Sequence, residues 1–265
     1  MADESAAVLS LAIRLAREAG AIQRERYETG FEIASKSSAI DLVTEVDRAC
    51  EWHLVEALRR ERPRDDVLAE EGGAHADVGA EWRWVIDPLD GTVNYAHGDP
   101  CFCVSIGVER GGVRTVAAVY DPLRDELFEG VRGGGARRNG RAIHVSRERD
   151  LGRALLATGF AYDVHDSERD NLDLLARAVK RAGGVRRDGS AALDLCYVAC
   201  GRFDGFWELK LHPWDVAAGL LILEEAGGRS SDLAGGPAPA SGVEIVASNG
   251  SIHAELLAVL AGQSS

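Results

Sequence analysis

Trp84-Val85-Ile86-Asp87-Pro88-Leu89-Asp90-Gly91-Thr92-Val93-Asn94-Tyr95 joins an apolar run to two carboxylates and then to a Gly-Thr pair. Pro88 fixes its own φ and disfavours helix at Asp87. The spacing therefore predicts a stiff turn at the end of a strand, with both acids held close. Repulsion between them needs a remedy, and a divalent cation supplies it. Hard oxygen donors suit Mg²⁺, which takes a few carboxylates, several waters and substrate phosphate oxygens. Gly91 and Thr92 offer backbone N–H groups where a helix can begin, a natural place for an oxyanion. Together these features point to metal-assisted hydrolysis of a phosphate ester.

On either side of this stretch the hydrophobic pattern alternates between helix and strand. Val8, Leu11, Ile13, Leu15, Ala19 and Ile22 predict a helix over Ser5 to Tyr27, with Gly30 as its stop. A second helix is predicted from Thr44 to Arg60, then a short strand at Val67 and Leu68 that ends in Glu70-Glu71, then a loop over Gly73 to Ala80. Trp82 to Ile86, Phe102 to Glu109, Val113 to Tyr120 and Glu126 to Val131 read as strands, with Gly111-Gly112 as a turn. Gly133 to Arg141 reads as an exposed loop; its glycines fit neither phosphate-loop spacing. Beyond it, strands are predicted at Ala154 to Gly159, Phe203 to Leu209 and Val243 to Ala247. Helices are predicted at Ser167 to Ala182, Ala191 to Ala199, Pro213 to Ala226 and Ile252 to Leu260. The alternation implies an α/β architecture. A subdomain boundary falls between Ser146 and Gly152, dividing residues 1–148 from 149–265 within one catalytic unit.

Composition limits the function classes. The chain has 265 residues, 46% hydrophobic and 28% charged, an ordinary globular profile. Its 43 Asp and Glu against 30 Lys and Arg give a formal net charge of −13. That field repels nucleic acid, so direct nucleic-acid binding is not expected. It would repel an anionic substrate too, unless the site holds cations. No apolar run is long enough to cross a bilayer. Met-Ala-Asp-Glu-Ser lacks the basic-then-apolar layout of a signal peptide, which implies a cytoplasmic location. The five cysteines show no zinc-type spacing. Cys101 and Cys103 on one strand face, and Cys196 and Cys200 on one helix face, read as buried thiols rather than a metal or redox site.

Acids follow apolar runs in four separate segments: Asp47 after Asp41-Leu42-Val43-Thr44-Glu45-Val46, Glu70 with Glu71, Asp87 with Asp90, and Asp215 in the first turn of a helix. A cap or a surface position explains any one of them. The shared context favours a joint role.

These segments resemble the inositol monophosphatases, members of the Mg²⁺-dependent, lithium-sensitive phosphatase superfamily. The resemblance rests on Trp84 to Tyr95, on Trp214 to Gly228 with its Trp-Asp-Val-Ala-Ala-Gly and Glu-Ala-Gly-Gly elements, and on Lys36 to Asp47. It extends to Glu70-Glu71 and to Arg187 to Ala191, and so covers nearly the whole chain. It implies a layered α-β-α-β-α sandwich, two to three Mg²⁺ per site, inhibition by Li⁺, and a homodimer. By the same resemblance Glu70, Asp87 and the Leu89 carbonyl would bind one Mg²⁺, and Asp87, Asp90 and Asp215 a second. A third, weaker ion would rest on Glu70 and waters. Thr92, helped by Asp47, would orient and deprotonate the attacking water, and the Gly91 and Thr92 amides would hold phosphate oxygens. Gly189, Ser190, Ala191 and Glu208 would face the hydroxyls of a polyol. Ser190 stands where relatives often carry Thr, and Ala39 where they often carry Pro.

The expected reaction is hydrolysis of inositol-1-phosphate or a similar polyol monophosphate without a covalent phosphoenzyme. Relatives with the same chemistry act on histidinol phosphate, fructose-1,6-bisphosphate or 3′-phosphoadenosine 5′-phosphate. Some bacterial members also bind the transcription machinery, which makes a protein partner in antitermination or RNA maturation the rival function. His97 and His212 lie near the acids without an expected role. Trp84 and Trp214 read as core packing, and Arg181, Arg186 and Arg187 as a solvated or interface face.

Overall fold

The computed structural model describes residues 2–72 and 79–263. Most of the loop expected over Gly73 to Ala80 lies outside the described residues. In chain order the elements are α1 (Ala2–Arg26), β1 (Ile33–Ser35), β2 (Leu42–Thr44), α2 (Glu45–Glu61), β3 (Asp66–Ala69), β4 (Trp82–Asp90) and α3 (Thr92–His97). Next come β5 (Cys103–Arg110), β6 (Val113–Asp121), β7 (Glu126–Val131), β8 (Gly135–Arg138) and β9 (Arg141–Ala142). The second half holds β10 (Leu155–Thr158), α4 (Leu172–Val179), β11 (Gly184–Arg186), α5 (Ala191–Ala199), β12 (Gly205–Leu209), α6 (Pro213–Glu225), β13 (Arg229–Ser231), β14 (Glu244–Ser248) and α7 (His253–Leu260).

Two sheets organise these elements. A seven-stranded sheet runs β3-β4-β5-β6-β7-β8-β9, with only β3 and β4 parallel. A five-stranded sheet runs β11-β10-β12-β14-β13, with β10 parallel to both neighbours. Strand periodicity sends alternate side chains to opposite faces. In β6, Val116, Ala118 and Tyr120 join the cluster under α1 and α2, while Ala117 and Val119 join the cluster around α5 and α6. In β12, Phe206 faces α5 and α6, and Trp207 faces the cluster of α4 and α7. Both sheets are thus covered on both faces, in the layer order α-β-α-β-α. A helix between two sheets must be apolar all round. Leu220, Leu221, Ile222 and Leu223 of α6 are all fully buried. Each contributes about 1.5–3 kcal/mol over an exposed position.

Several expectations are corrected. Gly133 to Arg141 is not a free loop: β8 and β9 extend the first sheet by two strands. The helix predicted from Ser167 is present only as Leu172–Val179. Cys101 precedes β5 instead of sharing its face with Cys103. Asp87 and Asp90 do not follow a strand but lie within β4, where the pairing to β5 shifts register between them. Pro88 has no N–H to give the ladder, and a proline inside a sheet is tolerated at a bulge. The bulge therefore does the work expected of the turn. β1 and β2 form a small antiparallel pair whose connecting turn carries Lys36 to Asp41.

Candidate functional site

Helix starts position two of the acids. Thr44 caps α2 by accepting from the backbone N–H of Val46 at 3.1 Å and of Asp47 at 3.4 Å. Asp47 returns the bond: its Oδ2 accepts from the Thr44 backbone N–H at 2.8 Å, a capping box. Its Oδ1 is left for the Thr92 hydroxyl, which donates at 2.8 Å. Asp215 repeats the device on α6, where its Oδ2 accepts from the His212 N–H at 2.7 Å. The other oxygen of Asp215 has no hydrogen-bond partner among the described residues.

The β4 bulge positions the other pair. Asp87 Oδ1 accepts from the Leu89 N–H across Pro88 at 3.0 Å. Asp90 Oδ2 accepts from Ser190 Oγ at 2.7 Å and from the Ala192 N–H at 2.8 Å. Ser190 is itself the cap of α5. Gly91 follows with φ +96, and a Cβ there would meet the Cys101 carbonyl at 2.7 Å. Only glycine fits that conformation and that close approach.

These groups surround one cavity of about 370 Å³. Its walls hold Glu70, Asp87, Leu89, Asp90, Gly91, Thr92, Gly189, Ala191, Glu208 and Asp215, all singled out in the sequence. Asp47 and Ser190 do not line it. Asp47 stands behind Thr92, and Ser190 stands behind Asp90. Structure adds Ser37 and Asp41 from the β1–β2 turn, Gly159 to Asp163, Arg187, Lys210 and His212. Short irregular segments gave no periodicity by which to find the Gly159 to Asp163 wall. Trp84 packs in the core as expected, its Nε1 donating to Asp65 at 2.9 Å. Trp214 instead lines the cavity, stacked on His212 with ring centroids 4.8 Å apart. His97 is not among the lining residues.

Charge in the cavity is strongly unbalanced. Burial, then Glu70, Asp90 and Asp215, push the Asp87 carboxyl well above its ordinary range. Burial, then Asp90, does the same to Asp215, against the opposing His212 N–H. Asp90 is raised to about 6 by burial, although Ser190 and the α5 amides oppose it. Glu208 is pushed up to about 8 by burial and by Asp90. Its carboxylate lies against Gly159, where a Cβ would come within 2.3 Å of it. Burial raises Asp47 too, against the Thr44 and Thr92 hydrogen bonds. Lys36 gives positive charge to Glu70, with Nζ 2.8 Å from Oε1, and pairs with Glu71 as well.

Such a set of hard oxygen donors is short of cations, and a divalent metal fits it. Glu70, Asp87, Asp90, Asp215 and the Leu89 carbonyl are the donors on the wall. Among the described residues no three ligating side chains already converge tightly enough to hold an ion. Lys36 pairs with Glu70, which stays within hydrogen-bond reach of Asp87, and the starts of α5 and α6 hold one oxygen each of Asp90 and Asp215. The five cysteines are free thiols, four of them buried. No helix among the described residues is long and apolar enough to cross a membrane.

Known proteins resemble the chain throughout. Residues 4–265 match the sequence model of the Inositol monophosphatase family. An inositol-1-monophosphatase of Synechocystis is 46% identical over 230 residues, 87% of this chain and 80% of its own length. The Nus factor SuhB of Escherichia coli is 44% identical over 230 residues, 86% of each chain. The solved structure of an inositol monophosphatase from Anabaena (Nostoc) superposes with a TM-score of 0.88 at 43% identity, covering 97% of this chain and 96% of the other.

Proposed function

The chain belongs to the inositol monophosphatase family, and from that premise we propose that it is a phosphatase that hydrolyses inositol-1-phosphate or a similar polyol monophosphate with Mg²⁺. The observation that carries this reading is the gathering of Glu70, Asp87, Asp90 and Asp215 around one cavity, next to the Thr92–Asp47 pair. When bound, Mg²⁺ offsets the charge of the phosphoryl group and acidifies water. Glu70, Asp87, Leu89, Asp90 and Asp215 would hold two to three ions, and Li⁺ would compete for one of these positions.

The remaining steps belong to the chain's own residues. Thr92 Oγ1 donates to Asp47 and keeps lone pairs for the proton of an attacking water. As that proton moves to Thr92, the Thr92 proton passes to Asp47 Oδ1. Burial makes Asp47 a better base than an exposed aspartate. The water oxygen bonds to phosphorus and the bond to the alcohol oxygen breaks; the leaving alkoxide takes a proton from a second water, Asp47 returns its proton to solvent, and inorganic phosphate and the free alcohol leave. The first-turn amides at Gly91 and Thr92, which a helix leaves without carbonyl partners, would hold phosphate oxygens. Gly189, Ala191 and Glu208 would face the alcohol, and Ser190 would act through Asp90. Arg187 and Lys210 are the Arg and Lys side chains on the described wall, and Lys210 is tied to Asp163 at 2.6 Å. With Lys210 held by Asp163 and Arg187 facing the Glu208 and Asp194 carboxyls, little positive charge is left for a second phosphate, which suits a monophosphate better than a bisphosphate. Residues 1–148 and 149–265 would form one catalytic unit, since Asp90 and Ser190 come from different halves.

Likeness to the Nus factors supports a second reading, a protein-binding role in transcription antitermination or RNA maturation; under either reading the chain would work in the cytoplasm as a homodimer, as the family resemblance implies. Initial rates on inositol-1-phosphate, histidinol phosphate, fructose-1,6-bisphosphate and 3′-phosphoadenosine 5′-phosphate test the first. Turnover of inositol-1-phosphate with Mg²⁺, lost on chelation, is the expected result. Negligible turnover of every ester, or undiminished turnover after full chelation, would overturn it.

A further inference from the structure

The segment from Gly159 to Ser167 belongs to no strand or helix, and its first part, Gly159 to Asp163, forms one wall of the cavity. It is pinned at several points. Ser38 Oγ donates to the Tyr162 carbonyl at 3.1 Å, tying the segment to the β1–β2 turn. Lys210 Nζ, at the end of β12, donates to both oxygens of Asp163 at 2.8 and 2.6 Å and to Ser167 Oγ at 2.6 Å. Between these anchors Tyr162 stands on the cavity wall, 42% exposed, although it is an aromatic residue of an otherwise well-packed chain.

Its surroundings fix the direction it serves. Its carbonyl is held by Ser38 of the turn whose Lys36 pairs with Glu70, which sets the residue beside the acidic end of the cavity, and after burial Glu70, Asp90, Asp215 and Asp87 are the groups that raise the pKa of the phenol. Together they keep the hydroxyl protonated. No described group accepts that proton. A phosphate oxygen is a pure acceptor, and a neutral O–H can meet it without adding charge to a wall already crowded with acids.

We propose that Tyr162 is a substrate-binding residue whose hydroxyl donates to a phosphate oxygen of the bound monoester, and that the Lys210–Asp163 pair is the positioning device that presents it. This deepens the phosphatase reading and rests on it. The contact is to the part common to all monoesters, so its loss is felt equally with every alcohol.

Calorimetric titration of inorganic phosphate into the Mg²⁺-loaded protein tests the contact directly, beside kcat and KM for inositol-1-phosphate and glycerol-2-phosphate. Tyr162→Phe is expected to weaken phosphate binding by about tenfold, the scale of a hydrogen bond to a charged acceptor. It should raise both KM values alike while kcat stays within about twofold. Lys210→Met should move the same quantities in the same direction by about threefold, with Lys210→Arg restoring them. Wild-type phosphate affinity in Tyr162→Phe would overturn the proposal. So would a KM rise confined to one ester, which would mean that Tyr162 reads the alcohol. If Tyr162→Phe weakens phosphate binding but the wild-type protein hydrolyses neither ester, the contact stands and the phosphatase reading falls.

Discussion

Ser190 Oγ donates to Asp90 Oδ2 at 2.7 Å, joining a bulge of the first sheet to the start of a helix in the second half of the chain. The Ala192 N–H reinforces the same oxygen at 2.8 Å. Asn94 adds a parallel tie, donating to the carbonyls of Cys101 and Asp188 at 2.7 Å each. Asp90 is therefore both a wall of the cavity and a joint between the halves.

Replacing Asp90 by Asn separates those two roles. An amide oxygen still accepts from Ser190 and Ala192, so the joint survives, while the charge that would bind a cation is lost. Turnover is expected to fall by about 10²–10³ or more, with no loss of Tm in the chelated protein. Asp90→Leu removes the acceptor as well and should cost about 1–3 kcal/mol of stability. Thermal melts alongside kcat check both. A normal rate in Asp90→Asn would remove it from the set of metal ligands.

Stability should respond to pH in a direction set by the raised carboxyls. Burial pushes the Asp90 carboxyl up to about 6 in the folded chain from 3.8, and that of Glu208 up to about 8 from 4.5. A carboxyl with a raised folded pKa holds its proton more tightly when folded. Its contribution is full below the unfolded value and is lost as pH rises through the folded value. The chelated protein should thus melt at a higher temperature near about pH 5 than near about pH 8, with the fall spread between them. Mg²⁺ would bind the ionised form, so any stabilisation it gives should be larger at the higher pH. At about 100 times Kd it amounts to about 2.7 kcal/mol. Equal melting points across that range in chelator would contradict the electrostatics of the cavity.

Thr92 and Asp47 form the other separable pair. Thr92→Val keeps the shape and removes the hydroxyl, so kcat should drop by about a hundredfold or more while KM holds. Thr92→Ser should restore most of the rate. Steady-state kinetics of the two variants distinguish a proton path from a packing role, which Ser would repair less well than Val.

Much of this was legible in the sequence because it rests on local rules. The long helices α1 and α2 have periodic apolar patterns, α6 and the strands β4 to β7 are apolar runs bounded by turn residues, and Thr44 and Pro213 announce helix starts. The α/β alternation and the acids Glu70, Asp87, Asp90 and Asp215 could be read from the residues themselves, whereas the layer order and Glu208 came from the resemblance to the family, and Asp41 and Asp163 gave no signal. Strands β1, β2, β11 and β13 have three residues each and are too short to show alternation. β8 and β9 are rich in Gly and Arg, a loop composition, and are strands only because β7 offers them a ladder. The bulge at Asp87 and the wall formed by Gly159 to Asp163 are tertiary outcomes, set by pairing to β5 and by the reach of Lys210.

Asp47 and Asp215 each close a capping box with one oxygen. Selection on folding alone would preserve both positions. A descendant that abandoned catalysis and survived as a scaffold for other proteins would still display the acidic signature of a hydrolase.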